Sequence, residues 1–238
     1  MNSTQKLLLK ELLKKVDPSY VAFCQKASQN PNSLGVRAPI LKQHLRAFIK
    51  SHPLDDLIAP LEKNAPFELL YAKAFAISKL PIGKRKFECI LCFLKNLNGW
   101  AITDGFCSLL KDCKENQREY FKFIRPLFEL KEEYSVRFAI VMSLMYFNEE
   151  AYLKKLLKIF ELLKADAYYK TMAIAWAVAT FYCKHPSIIF NYLKQSKLDD
   201  KTFNLCIDKI LQSNRPTLEQ KAQVKLLKRK KAKAINLS

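Results

Sequence analysis

The chain has 238 residues, half of them apolar and 12 % aromatic, which is enough for one domain or a continuous repeat array with a sizeable core. Its 41 lysines and arginines against 22 aspartates and glutamates give a formal net charge of +19. An excess this large indicates a polyanionic partner, most simply nucleic acid, with a membrane surface as the weaker alternative. The longest apolar run, residues 171–183, is too short to span a bilayer.

Sparse glycines and histidines exclude several classes of enzyme. Only four glycines occur, and none belongs to a glycine-rich phosphate loop or a dinucleotide-binding fingerprint. The three histidines, His44, His52 and His185, lie far apart and form no zinc-hydrolase pair. Cys89 and Cys92 have CxxC spacing, but they stand inside a helical apolar pattern without a second pair. We therefore expect neither a metal ion nor an organic cofactor.

The first residues predict a cytoplasmic protein. Residues 1–16 have the pattern of an amphipathic helix, with leucines separated by lysines. They lack the continuous apolar core and the small-residue cleavage site of a signal peptide. Seven cysteines, an odd number, fit free thiols in a reducing compartment.

Apolar residues recur at spacings of three and four almost throughout, which predicts an all-α protein. A small residue followed by isoleucine recurs in helix after helix, at intervals in the thirties except for a shorter first one. Such a period is typical of a HEAT-like α-solenoid, here of roughly six helical pairs, with a concave surface that suits a rod-like ligand. We predict one such domain over residues 1–229 and a basic C-terminal tail over residues 230–238. The repeated pairs are Ala76-Ile77, Ala101-Ile102, Ala139-Ile140, Ala173-Ile174 and Cys206-Ile207.

The stretch at residues 98–104, with sequence NGWAITD, holds one of only two tryptophans. A helix that starts at Asn98 or Gly99 places Trp100 and Asp104 one turn apart on one face. Burying a lone aspartate is costly, so a neighbouring cation or exposure to a groove is expected. A core tryptophan with a solvated aspartate on the helix flank is the alternative interpretation of this segment.

Residues 34–42, with sequence LGVRAPILK, predict a turn followed by a helix. Gly35 permits the turn, and Pro39 fits the first helical turn. Arg37 and Lys42 then lie near a helix N-terminus, where free N–H groups favour phosphate. The alternative is a plain loop-to-helix junction with solvated charges.

Two later helices carry an arginine and the second tryptophan. Ser135 is a plausible helix cap, and Arg137 lies in the first turn that follows. This arginine is either a snorkelling flank residue or a planar donor for a carboxylate or phosphate. Trp176 lies in the middle of a similar helix one repeat later, where a core tryptophan is the more common outcome.

These segments, in this order, resemble the bacterial DNA alkylation repair family of the AlkD type. The resemblance covers nearly the whole chain, from about Tyr20 to Arg229. Each segment is weak alone, but the ordered set is fairly specific. The matching segments are LGVRAPILK at Leu34–Lys42, NGWAITDGFCSLLK at Asn98–Lys111, VRFAIVMSLMYF at Val136–Phe147, YYKTMAIAWAVATFYCKHP at Tyr168–Pro186, and the residues around Lys209, Ser213 and Arg215.

The resemblance implies a HEAT-like solenoid that binds duplex DNA on its concave face and acts as a monomer. It also implies a monofunctional glycosylase that releases cationic N3- or N7-alkylated purines. Some members carry a basic residue one turn after the second tryptophan, where this chain has Ala179. The family's active cleft falls here on Trp100, Asp104, Arg137 and Trp176. We further expect DNA contacts from Arg37, Lys42, Lys170, Lys209 and Arg215.

Those residue types suit the implied chemistry. A purine alkylated at N3 or N7 is already cationic and needs no acid to leave, so one carboxylate, Asp104, can stabilise the oxocarbenium ion and position water. The tryptophan faces attract a cationic base, and Arg137 can hold a phosphate. Whether the base flips into a pocket stays open. Two other functions remain: a non-catalytic HEAT-like protein that binds damaged or branched DNA, and an armadillo-type protein scaffold, which the net charge disfavours.

Overall fold

The computed structural model describes residues 1–62, 64–95, 97–164 and 166–230 of the chain. Within these ranges all regular secondary structure is helical, which confirms the predicted all-α class and is compatible with a helical-repeat solenoid. Of the predicted basic tail, residues 231–238 lie outside the described residues. Across the described ranges, fourteen α-helices follow one another: α1 (Ser3–Leu13), α2 (Val21–Ser28), α3 (Ala38–Phe48), α4 (Leu54–Ile58), α5 (Phe67–Lys79), α6 (Lys84–Leu94), α7 (Trp100–Leu109), α8 (Gln117–Ile124), α9 (Glu133–Tyr146), α10 (Glu150–Leu162), α11 (Tyr168–Lys184), α12 (Pro186–Gln195), α13 (Asp200–Gln212) and α14 (Leu218–Lys225).

The helices pack as two compact units, Met1–Phe123 and Ile124–Ser238. In the first unit, α5 is central: α3, α4, α6 and α7 all pack on it, and α2 packs on α7. In the second unit, α11 is central, between α9 and α13, while α10 and α12 also pack on α11. We call α9, α11 and α13 the front layer of the second unit, and α10 and α12 its back layer. The single domain predicted over residues 1–229 stays a prediction.

The repeated small residue–isoleucine pair occurs in α5, α7, α9, α11 and α13, and its isoleucine is at most 2 % exposed in each of them. The short interval from Ile77 to Ile102 contains only α6 between the two helices that carry the pair. The longer interval from Ile102 to Ile140 contains α8 and two 3₁₀ helices, Lys111–Lys114 and Arg125–Glu129. The pair therefore marks the same buried helix position in successive repeats, and its irregular period comes from the connections.

A buried carboxylate fixes the loop before α3. The side chain of Glu68, in the first turn of α5, accepts hydrogen bonds from the backbone N–H groups of Leu34 at 2.9 Å, Gly35 at 3.0 Å and Val36 at 3.2 Å. Gly35 has a φ of +87°, and a Cβ at this position would lie 2.8 Å from a methyl carbon of Val21. The loop therefore needs both the glycine and a carboxylate from a helix that comes later in the chain.

A buried lysine binds the backbone carbonyl groups at the C-terminal end of α5. The Nζ atom of Lys86 donates to the carbonyl oxygens of Ser78 and Leu80, at 3.0 Å each, and pairs with Asp112 at 2.7 Å. Lys86 is almost fully buried, and its charge interacts with the carbonyl groups that a helix leaves unpaired at its C-terminus.

The described end of the basic run docks on α13. Lys228 pairs with Asp208 at 2.7 Å, and Arg229 pairs with Asp200 at 3.0 Å. The Arg229 guanidinium also lies 4.0 Å from the centre of the Phe203 ring. These two cations are therefore held by the helix beside them.

In the described part of the chain, the helices are too short or too polar to cross a membrane.

Candidate nucleic-acid interface

Trp100 and Asp104 lie on one helix of the first unit. The helix α7 begins at Trp100 with Gly99 as its N-cap, as the sequence predicts. Trp100 is 37 % exposed, which is high for a tryptophan, and Asp104 one turn later is partly exposed. The two side chains therefore share an accessible stretch of α7.

Close packing holds this stretch in place. A Cβ at Gly99 would lie 2.8 Å from the carbonyl oxygen of Ser28, so only glycine lets α2 approach the start of α7 this closely. A Cβ at Gly105 would lie 3.3 Å from the ring of Tyr71, which packs against α7 from α5. Burial raises the pKa of Tyr71 to about 12, so its hydroxyl stays neutral beside the helix that carries Asp104.

The side chain of Arg37 contacts two neighbouring side chains, Asp17 and Tyr20. Arg37 is the N-cap residue of α3, and Pro39 lies in the first turn, as predicted. Its Nε donates to Asp17 at 2.6 Å, and its guanidinium lies 4.9 Å from the centre of the Tyr20 ring. Hydrogen bonds from Ser19, and then from Arg37, lower the pKa of Asp17. Lys42, in the second turn of α3, is partly exposed.

The loop amides of Leu34, Gly35 and Val36, which precede α3, donate to Glu68. The phosphate contact predicted for the start of α3, with Arg37 and Lys42 beside it, stays a prediction. The structure places both residues in the first unit with Trp100 and Asp104.

Arg137 lies on α9 and is only 6 % exposed. Its Nη1 donates to the carbonyl oxygen of Tyr169 at 2.7 Å, and its guanidinium lies 5.9 Å from the centre of the Tyr169 ring. One turn earlier, the carboxylate of Glu133 accepts hydrogen bonds from the backbone N–H groups of Tyr169 at 2.6 Å and Lys170 at 3.3 Å. Arg137 thus donates to a backbone carbonyl, and its role as a planar donor for a carboxylate or phosphate stays a prediction.

A cleft of about 450 Å³ lies between α11 and α13 in the front layer of the second unit. It brings together Trp176, which is 37 % exposed, and the two cations Lys209 and Arg215. Lys184 adds a third cation that the sequence analysis did not select. Ala179 is buried in the same wall.

Lys170 lies elsewhere. It is buried and forms an ion pair with Asp166, four residues earlier. It lines a different cavity of about 620 Å³, together with Arg125 and Lys131, and the structure does not bring it to the cleft of Trp176. The DNA contact of Lys170 stays a prediction.

Three of the predicted site residues occupy the same position within their own repeats. Asp104, Trp176 and Lys209 each lie two positions after the buried isoleucine of their repeat. Equivalent positions in a helical repeat face the same side of each repeat. Met142, at the same position of α9, is nevertheless fully buried, so the register alone does not assign Asp104 to a face, and its place in a cleft stays a prediction.

Sequence reasoning missed the two carboxylates Glu68 and Glu133. Each lies in the first turn of its own helix, which is an ordinary place for a glutamate. The spacing of Glu133 and Arg137, one helical turn apart, was a usable signal for side chains on one helical face. Nothing local indicates that Glu68 reaches back to the loop before α3.

Across the described ranges, no three His, Cys, Asp or Glu side chains are grouped so that they would hold a metal ion.

The features above define a class of protein, an all-α repeat protein with a tryptophan and several cations in one cleft. The family model described as DNA alkylation repair enzyme matches residues 8–206, which is most of the chain. The chain therefore belongs to the DNA alkylation repair enzyme family. A search of curated proteins found no match to it. Lys209 and Arg215 lie just beyond the matched residues.

Proposed function

We propose that the protein is a DNA glycosylase that hydrolyses the N-glycosidic bond of cationic N3- or N7-alkylated purines in duplex DNA. The observation that carries the proposal is a partly exposed tryptophan one turn from a carboxylate on α7, in a member of a DNA alkylation repair family. The net charge of +19 supports a polyanionic substrate.

In the proposed reaction, the bond between C1′ of the deoxyribose and the purine nitrogen breaks, and the base leaves as a neutral molecule. The sugar then carries oxocarbenium character, which a nearby carboxylate stabilises electrostatically. Asp104 has this role in the proposal, and it also positions the water whose oxygen adds to C1′ and whose proton is released to the solvent. Because the leaving group is already cationic, no second carboxyl group is needed as an acid.

Recognition rests on the aromatic rings and the cations. The faces of Trp100 and Trp176 carry negative quadrupoles, which favour a cationic nucleobase over a neutral one. Lys209 and Arg215 line the cleft of Trp176 and are assigned to phosphates, as are Arg37 and Lys42. Arg137 is assigned to a phosphate beside the lesion. The proposal includes a monomer in the cytoplasm, where the seven free cysteines would stay reduced.

The decisive experiment is the release of 7-methylguanine from a methylated duplex by the purified protein. We expect base release together with duplex binding that weakens steeply as salt rises, because phosphate contacts release counterions. Tight, salt-dependent binding without base release would replace the glycosylase by the non-catalytic binder of damaged or branched DNA.

Trp176→Ala is expected to lower base release about ten-fold and to reduce the preference for methylated over unmethylated duplex, because a cation–aromatic contact is worth about 1–2 kcal/mol. Binding of both duplexes should be measured by fluorescence anisotropy at several salt concentrations. Tyr168→Ala removes an exposed aromatic ring from the same helix and is the matched control. An unchanged ratio between the two duplexes would exclude a role of Trp176 in lesion preference.

A further inference from the structure

Two side chains of α9 hold the backbone of one residue at the start of α11. Glu133 accepts from the N–H of Tyr169 at 2.6 Å, and Arg137 donates to the carbonyl oxygen of the same residue at 2.7 Å. The rings of Tyr134 and Tyr169 also lie near each other, with centroids 5.8 Å apart. Opposite charges one turn apart on α9 thus bind the donor and the acceptor of a single residue.

Glu133 caps the N-terminus of α11, which has no capping side chain of its own. The N-cap residue of α11 is Ala167, which has no side chain that can cap the helix, while Glu133 accepts from Tyr169 and Lys170 in the first turn. This carboxylate also lies where the helix dipole favours a negative charge. Glu133 therefore fixes the position of the Tyr169 backbone with respect to α9.

The position of that backbone in turn helps to set the orientation of Arg137. A guanidinium is planar and carries its donors in a rigid fork, so a bond from Nη1 to a fixed carbonyl sets the direction of the whole group. Without Glu133, the first turn of α11 would lose an anchor, and the carbonyl that orients Arg137 would move with it.

We propose that Glu133 is a positioning residue that acts through the Tyr169 backbone to orient Arg137 for a DNA phosphate. This inference rests on the proposed function, in which Arg137 binds a phosphate next to the lesion. It predicts that loss of Glu133 removes the phosphate contact of Arg137 although Arg137 itself is unchanged.

The test is the salt dependence of binding to a methylated duplex, measured well below the melting temperature of every variant. Losing one phosphate contact lowers the slope of log K against log salt by about 0.9. We expect this decrease for Arg137→Ala, for Glu133→Ala and for the double variant, without a further decrease in the double variant. Glu133→Gln keeps an acceptor oxygen for the Tyr169 N–H and should restore the parental slope. Glu132→Ala removes the same charge one position earlier, on an exposed residue, and should also keep that slope.

A purely structural role would lower the melting temperature of Glu133→Ala and leave the slope at its parental value, which would overturn the inference. It would equally be overturned by a slope decrease for Glu133→Ala that adds to that of Arg137→Ala, or by an Arg137→Ala variant with the parental slope. Failure of the proposed function is a separate result, because it appears as missing base release by the parent protein, whereas the slope is measured on binding alone.

Discussion

Asp104→Asn is expected to lower the release of 7-methylguanine by at least about 100-fold while duplex affinity changes by less than about two-fold. Asparagine has nearly the same size, but it lacks the charge that would stabilise the sugar cation, and such electrostatic contributions are worth about 3 kcal/mol or more. The measurement is single-turnover base release at saturating protein, which separates the chemical step from binding.

The matched control for this substitution is Asp55→Asn, which makes the same chemical change in the same unit. Asp55 is an exposed residue that pairs with Arg85 on the surface, and its substitution should leave base release within about two-fold. If Asp104→Asn released base at the parental rate, Asp104 would have no role in the chemical step. Another carboxylate, or the bound duplex itself, would then have to stabilise the sugar.

Glu68→Ala is expected to lower the free energy of unfolding by about 3–5 kcal/mol, the largest stability effect that we predict, because each buried donor left unpaired costs about 1–3 kcal/mol. The substitution leaves three backbone N–H groups of the loop before α3 without their acceptor. Glu68→Gln should cost less, because it keeps one acceptor oxygen. Urea unfolding followed by circular dichroism measures both values.

Glu62→Ala is the control for Glu68, because this exposed glutamate pairs with the N-terminal amine on the protein surface. Its free energy of unfolding should stay within about 0.5 kcal/mol of that of the parent protein. A change of less than about 1 kcal/mol for Glu68→Ala would mean that water can reach the loop amides and replace the carboxylate.

The sequence predicted what depends on local periodicity. Spacings of three and four identified the helices, Gly99 and Pro39 marked two helix starts, and the repeated isoleucine identified equivalent buried positions. These features depend on neighbours within one or two turns, so a single sequence contains the information. The class of the protein and the start of α7 are confirmed for this reason.

The sequence could not predict side-chain contacts between distant segments. The bond from Arg137 to Tyr169 joins two different helices, and the bonds from the loop before α3 to Glu68 likewise join distant parts of the chain. A helical pattern shows which face of a helix is buried but not which atoms meet it. The ion pair of Lys170 with Asp166 is different, because the two lie at i and i+4 and helical spacing could have indicated it. The assignment of the predicted site residues to DNA stays a prediction.

The docking of α14 and Arg229 on α13 has a consequence for the synthesis of the protein. A chain leaves the ribosome from its N-terminus, so the segment that covers α13 emerges after α13 itself. Until residues 218–229 are available, Phe203 lacks the guanidinium that lies over its ring, and Asp200 and Asp208 lack their counterions. Premature termination just before α14 would therefore yield a product whose last front-layer helix is uncovered, and such a product should be a good substrate for cellular proteases.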